Sequence, residues 1–401
     1  MKKYIIIILS LFISSCSMSN PLEYFDFVAN QTQEFQGVKV KLLWSTDIGE
    51  ERSYKTGTLQ PVFSNNVSYT IDSEGRVTAI DLSSGSIKWV YDLELNVSSG
   101  LSLHQNMLFF GTSDGKYYGY EIDSLNSSYG LLDRLNITSL LRESLIKPDV
   151  FVQLISEVSS TGLGIDNLMF IKLDDGNTVA VNIDNSTIEW QYKGKNVPLS
   201  MKGSGSISNL NNNLFIARDD GNLVSLSKDS GKLNWLVSIS PKSGRNELES
   251  LRDIEMTPYV KDGLVFVGSF QGNLVSVDAF SGNIIWSTPM SVLSNIDIDE
   301  NYIYVADSYG AIFALDRFSG FIKWKITLAN SLVGTQSFSH DKYLINVSTN
   351  GYIMVIDKEK GRLLTSVSLL SDVDNQVRGL LLDKILYITS RNGRLNAIKI
   401  D

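Results

Sequence analysis

The sequence predicts an all-β protein, an eight-bladed β-propeller built from four-stranded antiparallel blades, on three observations. A glycine-centred pattern recurs eight times, at Gly75, Gly115, Gly176, Gly221, Gly272, Gly310, Gly351 and Gly393, with most spacings between 38 and 51 residues. The short strands that follow these glycines are apolar or small on both faces. The last repeat lacks its final strand, and an unclaimed tryptophan strand stands ahead of the first. Periods of about 40 to 50 residues carrying four short strands belong to propeller blades, not helical solenoids.

The first repeat sets the ruler: Asp81, Gly85 and Trp89 stand six, ten and fourteen residues after Gly75. The same offsets give Asp278, Gly282 and Trp286 after Gly272, and Asp316, Gly320 and Trp324 after Gly310. Gly176 keeps Trp190, Gly221 keeps Gly231 and Trp235, and Gly351 keeps Asp357 and Gly361. Gly115 heads a worn copy with Glu121 and Tyr129. The ruler glycines suit positive-φ positions in tight hairpins. The aspartates read as turn formers whose carboxylates take backbone amides ahead of the next glycine, and the tryptophans as plates between adjacent blades.

Strand character follows from residue type. Leu264-Val265-Phe266-Val267-Gly268 before the turn and Leu274-Val275-Ser276-Val277 after it are short and rich in β-branched residues. Val77-Thr78-Ala79-Ile80 and Ile312-Phe313-Ala314-Leu315 have no polar face, as a sheet covered on both sides requires.

The unit at Gly393 ends at Asp401, before its tryptophan strand, whereas Val40-Lys41-Leu42-Leu43-Trp44-Ser45-Thr46 has no unit of its own. Joining the two completes the eighth blade and leaves no open seam. All six tryptophans then hold one equivalent position. The spacing of 61 between Gly115 and Gly176 places an insertion within 125–160, with a helical turn expected near 138–143.

The chain starts with Lys2 and Lys3, an apolar run from Tyr4 to Phe12, and small residues ahead of Cys16. The apolar run is too short to cross about 30 Å of hydrocarbon as a helix, which takes about twenty residues. Residues 1–15 therefore read as a signal peptide, with an ending that resembles a bacterial lipobox. Cys16 is the only cysteine, so no internal disulfide is possible and lipidation accounts for the lone thiol. Residues 16–37 read as the lipidated cysteine and a flexible tether, and 38–401 as the propeller. Ser17 in place of aspartate after Cys16 leads to the expectation of outer-membrane delivery, on the periplasmic face.

Removing the leader takes the formal charge from −9 to −11, with no long block of either sign. This argues against nucleic acid and anionic lipid surfaces as partners. Histidine occurs only at His104 and His340, which leaves little material for a histidine metal cage or a Ser-His-Asp triad. Asp297-Ile298-Asp299-Glu300 and Asp372-Val373-Asp374 lack the twelve-residue calcium-loop pattern. Gly203-Ser204-Gly205-Ser206 does not join a strand to a helix as a phosphate loop would. No catalytic residue, cofactor or metal ligand is expected.

The segment Ser276-Val277-Asp278-Ala279-Phe280-Ser281-Gly282-Asn283-Ile284-Ile285-Trp286 resembles the PQQ-type repeat. Two groups share that repeat: the quinoprotein dehydrogenases, and the BamB family of lipoproteins of the outer-membrane β-barrel assembly (BAM) machinery. The dehydrogenases carry adjacent paired cysteines, which this chain lacks. Length, lipobox and eight units resemble the BamB family over the whole mature chain. Two stretches sharpen the likeness. Leu199-Ser200-Met201-Lys202-Gly203 matches a family Leu-Ser-Leu-Arg-Gly stretch, and Leu251-Arg252-Asp253-Ile254-Glu255-Met256-Thr257-Pro258 matches a family Leu-Ser-Asp-Val-Asp-x-Thr-Pro stretch.

The resemblance implies a non-catalytic scaffold that binds the periplasmic POTRA domains of the barrel subunit BamA, joins other BAM subunits, and aids folding and insertion of outer-membrane proteins, with unfolded clients as further partners. It implies that Leu199 and Met201 give apolar contact, Lys202 a positive charge, and Asp253 and Glu255 negative charge. Lys202 departs from the family arginine, which removes the bidentate geometry. Reversing Asp253 and Glu255 to lysine is then expected to weaken capture with folding intact. The alternatives are a PQQ-dependent oxidoreductase and a propeller scaffold of another envelope complex.

Overall fold

In a computed structural model of the chain, the described residues are 38–49, 60–127, 147–195, 205–240, 253–327, 334–373 and 379–401. The expected signal peptide and tether, Cys16, Leu199, Met201, Lys202 and the expected helical turn at 138–143 lie outside them. Among the described residues no helix is long and apolar enough to cross a membrane.

Eight four-stranded antiparallel sheets form the eight blades. Each runs outward from a short inner strand such as Val62–Ser64 to an outer strand such as Ile87–Asp92. The second and third strands are buried on both faces; Val67–Ile71 is buried throughout. The inner strands surround a central pocket of about 470 Å3, lined by Ser102, Thr161, Ser206, Thr257, Asn295 and Gln336 among apolar residues, with no charged side chain among the described residues of its wall.

Ring closure follows the sequence. Strand Val40–Asp47 pairs antiparallel with Arg394–Ile400, with Val40 opposite Ile400 and Trp44 opposite Ala397. In the same way Trp89 faces Ala79, Trp190 faces Ala180, Trp235 faces Ser225, Trp286 faces Ser276 and Trp324 faces Ala314. A small residue opposite the indole leaves room for the ring to lie against an aromatic of the second strand, as with Phe215 and Trp235 at 5.8 Å between centroids.

The rings reach across the blade boundary. Trp286 donates its indole N–H to Arg317 O at 2.9 Å, and Trp324 donates to Lys358 O at 2.9 Å, each carbonyl belonging to the next blade. The ring covers that blade's turn glycine: a Cβ on Gly320, whose φ is +72°, would stand 2.5 Å from Trp286. The tryptophan and the glycine ten residues into the repeat are therefore two halves of one interblade contact. The turn aspartates behave as expected. Asp316 accepts from the amides of Phe318 and Ser319, and Asp278 from those of Phe280 and Ser281.

Two expectations need correction. Seven of the eight ruler glycines have positive φ, but Gly272 does not, and Gln271 takes φ 48° instead. Space keeps that glycine, since its Cβ would stand 2.1 Å from the hydroxyls of Ser240 and Ser269. The worn copy at Gly115 does not place its outer strand near Tyr129. A short helix at 122–127 follows the third strand, and the outer strand is Val150–Gln153, with Val150 opposite Gly119 in the tryptophan position. The insertion therefore separates the third and fourth strands of blade 2.

Candidate functional site at the connecting-loop rim

The two faces of the ring differ. One carries the turns between first and second strands and between third and fourth strands. The other carries the ruler turns, between second and third strands, together with the connections that pass from each outer strand to the next blade. Along the chain, the two stretches singled out in the sequence, 199–203 and 251–258, fall in the successive segments that link blade 3 to blade 4 and blade 4 to blade 5; 205–207 and 253–258 of these segments are among the described residues.

Their described parts meet. Gly205 lies so close to the chain at 255–256 that a Cβ on it would stand 2.8 Å from the carbonyl oxygens of Glu255 and Met256. Ser206 donates its amide to Thr257 Oγ1 at 2.9 Å and its hydroxyl to Thr161 O at 2.7 Å. Blades 3, 4 and 5 are thus laced together beneath the rim. Ile254 and Met256 enter the core, and Met256 Sδ accepts from Gly268 N at 3.1 Å.

Asp253 and Glu255 are not solvated loop charges: they are 1% and 2% exposed. Buried carboxylates need charge partners or hydrogen bonds, and a cation lies close by. Lys172 ends the second strand of blade 3 and pairs with Asp219 at 2.8 Å, with both side chains largely shielded. Burial works to lower the Lys172 pKa, but the neighbouring carboxylates of Asp219, Glu255 and Asp174 outweigh it and hold the ammonium above its ordinary value. Next to it, the Arg218 guanidinium binds Asp220 at 3.3 Å and donates to Lys195 O at 3.0 Å. That carbonyl precedes the 196–204 stretch by one residue. Gly194 fits beneath it only because it lacks a side chain, since a Cβ would stand 1.8 Å from Gly176 O. Charge reversal at Asp253 or Glu255 would place a cation in this closed environment, so the expectation that folding survives such a change does not hold.

Reading residue by residue missed Lys172 and Arg218, although aligning the repeats exposes both. Four residues before the ruler glycine the other blades carry Ile71, Gly111, Ala217, Gly268, Ala306, Val347 and Thr389; blade 3 alone carries a charge there. Three residues before it, Asp72, Thr112, Asp307 and Ser348 cap their own turns through side-chain oxygens. Blade 4 has Arg218 in that place. Asp220 takes over the turn by accepting from Asn222 N, which leaves the arginine free to reach the neighbouring connection.

His104 and His340 stand in different blades, and no group of three metal-ligating side chains occurs among the described residues. Among its described residues the pocket wall offers hydroxyls and amides but no cation for an anionic cofactor such as PQQ.

Residues 40–148 and 152–326 match the family model described as outer membrane protein assembly factor BamB. The chain is similar to the outer membrane protein assembly factor BamB of Yersinia pestis, 26% identical over 396 residues, covering 96% of this chain and 95% of that protein. It superposes on the crystal structure of BamB from Moraxella catarrhalis with a TM-score of 0.74 at 17% identity, covering 90% of this chain and all of that one. The quinohemoprotein alcohol dehydrogenase of Comamonas testosteroni gives a TM-score of 0.65 at 10% identity over 90% of this chain and 76% of that one, a likeness of fold.

Proposed function

Because the chain belongs to the family of outer membrane protein assembly factor BamB, we propose that it is a non-catalytic scaffold of an outer-membrane β-barrel assembly machine. In this reading lipid on Cys16 holds it at the periplasmic face of the outer membrane, and its connecting-loop rim docks the POTRA domains of a BamA-like subunit and adjoins other subunits of the machine. Folding and insertion of client barrels are assisted through that complex.

The observation that carries the reading is the buried charge network beneath the two family-like stretches. Lys172, Asp219 and Arg218 fix the ground around Lys195, and Gly205 lies against 255–256, so the described residues at both ends of 196–204 are held. Leu199, Met201 and Lys202 would make the contact, in keeping with interfaces where a few anchors dominate. The buried Asp253 and Glu255 would act from below, by fixing the rim and its field. An oxidoreductase reading has the propeller fold in its favour, but a tricarboxylate cofactor would meet no cation among the described residues of the pocket wall.

The test is titration of purified POTRA domains against the full chain and against a Leu199→Ala/Met201→Ala variant, with a pull-down from solubilised membranes alongside. Binding at least tenfold weaker at unchanged thermal stability is expected. Equal affinity would overturn the rim assignment, and recovery of a different envelope complex would replace the partner.

A further inference from the structure

The face opposite the rim carries an apolar patch that the scaffold reading does not use. Phe280, Phe318 and Phe321 occur in the turns between third and fourth strands of blades 5 and 6, and they are 60%, 58% and 77% exposed. At the position of Phe280 and Phe318 the repeat has Ser83, Asp184, Asp229 and Glu359 in blades 1, 3, 4 and 7; at that of Phe321 it has Ser86, Thr187, Lys232, Asn283 and Arg362. The aromatic substitution is confined to two adjacent blades.

The three rings share one surface. Phe280 lies over the 262–263 turn, where a Cβ on Gly263 would be 3.8 Å from its ring. Asp262 of that turn binds the Arg317 guanidinium, and the same guanidinium stacks 4.4 Å from the centroid of Phe318. Ile284 and Ile285 extend the patch along the outer strand of blade 5. The Arg317 cation beneath it is paired with Asp262, and the turn carboxylates of Asp278 and Asp316 are held by the amides and hydroxyls of their own turns.

The ring's own ends identify what lies on that face. Val40 pairs with Ile400, and Lys39 and Asp401 exchange backbone hydrogen bonds of 3.0 and 2.9 Å, so the chain enters the propeller on the face that bears the phenylalanines. Cys16 precedes Val38 by 22 residues, for which a flexible segment has a typical reach of about 25 Å. A lipid on Cys16 would hold this face, and not the partner rim, against the bilayer.

We propose that Phe280, Phe318 and Phe321 form a membrane-contact patch that seats the propeller on a zwitterionic phospholipid surface, with the rim turned away. The proposal rests on the lipoprotein reading of Cys16. The net charge of −11 without the leader, from the −9 of the full chain less Lys2 and Lys3, disfavours a contact driven by anionic headgroups, whereas aromatic side chains can still bury at the boundary of headgroup and acyl chain.

The test uses the full mature chain with Cys16→Ser, so that no acyl chain contributes, floated with phosphatidylethanolamine/phosphatidylcholine vesicles. The chain is expected to float with the vesicles, with partitioning reduced about tenfold for each phenylalanine changed to serine. Because these rings are exposed, Phe280→Ser/Phe318→Ser/Phe321→Ser should melt as the parent does. Absence of the parent from the vesicle fraction, or equal flotation of the triple variant, would overturn the proposal. So would concentration-dependent dimerisation abolished by the triple variant without vesicle binding, since it assigns the patch to a second copy. POTRA binding is measured in the same preparations: binding without flotation sinks only the lipid contact, and flotation without binding sinks only the scaffold reading.

Discussion

The indole N–H of Trp44 donates to the carbonyl of Leu82 across 3.2 Å, although the two residues belong to the last and the first blade. Thr46 repeats the link by donating its hydroxyl to Gly85 O. Trp44→Ala should therefore lower stability by about 3 kcal/mol, the low end for a large aromatic because this ring is only half-buried. Urea denaturation followed by tyrosine fluorescence measures this, and an unchanged midpoint would show that the seam is held by other contacts.

The Trp286–Gly320 contact predicts a coupling between blades 5 and 6. Gly320→Ala adds a Cβ at φ +72° and 2.5 Å from the indole, for a cost of about 2 kcal/mol or more. Trp286→Ala removes the obstacle while opening a cavity. The double variant should cost less than the sum of the single changes by about 1 kcal/mol; simple additivity in a double-mutant cycle would contradict the contact.

Removing the Lys172 ammonium takes away the cation that pairs with Asp219 and attracts Glu255. Lys172→Met should destabilise by about 3–5 kcal/mol, with partial recovery on adding Asp219→Asn. The folded pKa lies above the ordinary 10.5, so this stabilisation is complete below pH 10.5 and fades as pH rises through the folded value. A gap between parent and variant that shrinks already at pH 8 would contradict the assignment.

Asp316 shows the opposite sign. The hydroxyl and amide of Ser319 and the amide of Phe318 hold its carboxyl below the usual value of 3.8. Its contribution is present above about pH 4 and is lost as pH falls through the folded pKa. Asp316→Asn should melt below the parent at pH 7, with the gap closing only as pH falls below the usual carboxylate value of 3.8 and through the folded pKa, as read by a calorimetric series.

Asp253→Lys/Glu255→Lys should fail to fold, not merely fail to bind, because each lysine would be enclosed where a carboxylate now sits. The isosteric Asp253→Asn/Glu255→Gln pair should keep near-parental circular dichroism. Soluble, cooperatively unfolding double-lysine protein would show that these positions open readily to water.

The repeat was legible because a blade must satisfy the same constraints eight times. Turn, small residue and tryptophan recur at fixed offsets, and the stray strand around Trp44 finds its partner by elimination. Gly272 was misread because a glycine can be required by its dihedral or by its neighbours, and the hydroxyls of Ser240 and Ser269 that exclude a Cβ come from elsewhere in the chain. The outer strand of blade 2 was hidden by an insertion that moved it some twenty residues beyond Tyr129. Asp253 and Glu255 looked like surface charges because their surroundings, including Gly205 and Lys172, come from other blades. Lys172 and Arg218 were readable only as departures from the pattern of the other seven units.

The hydrogen-bonded meeting of Lys39 and Asp401 makes the order of the chain separable from the closed ring. A two-residue turn between them would supply the one hairpin that blade 8 lacks, and fresh termini could then be cut within 128–146 without severing any of the thirty-two strands seen among the described residues. Such a circular permutant would move the N-terminal lead segment from blade 8 to blade 2, a swivel about the ring axis that leaves every blade interface as it is.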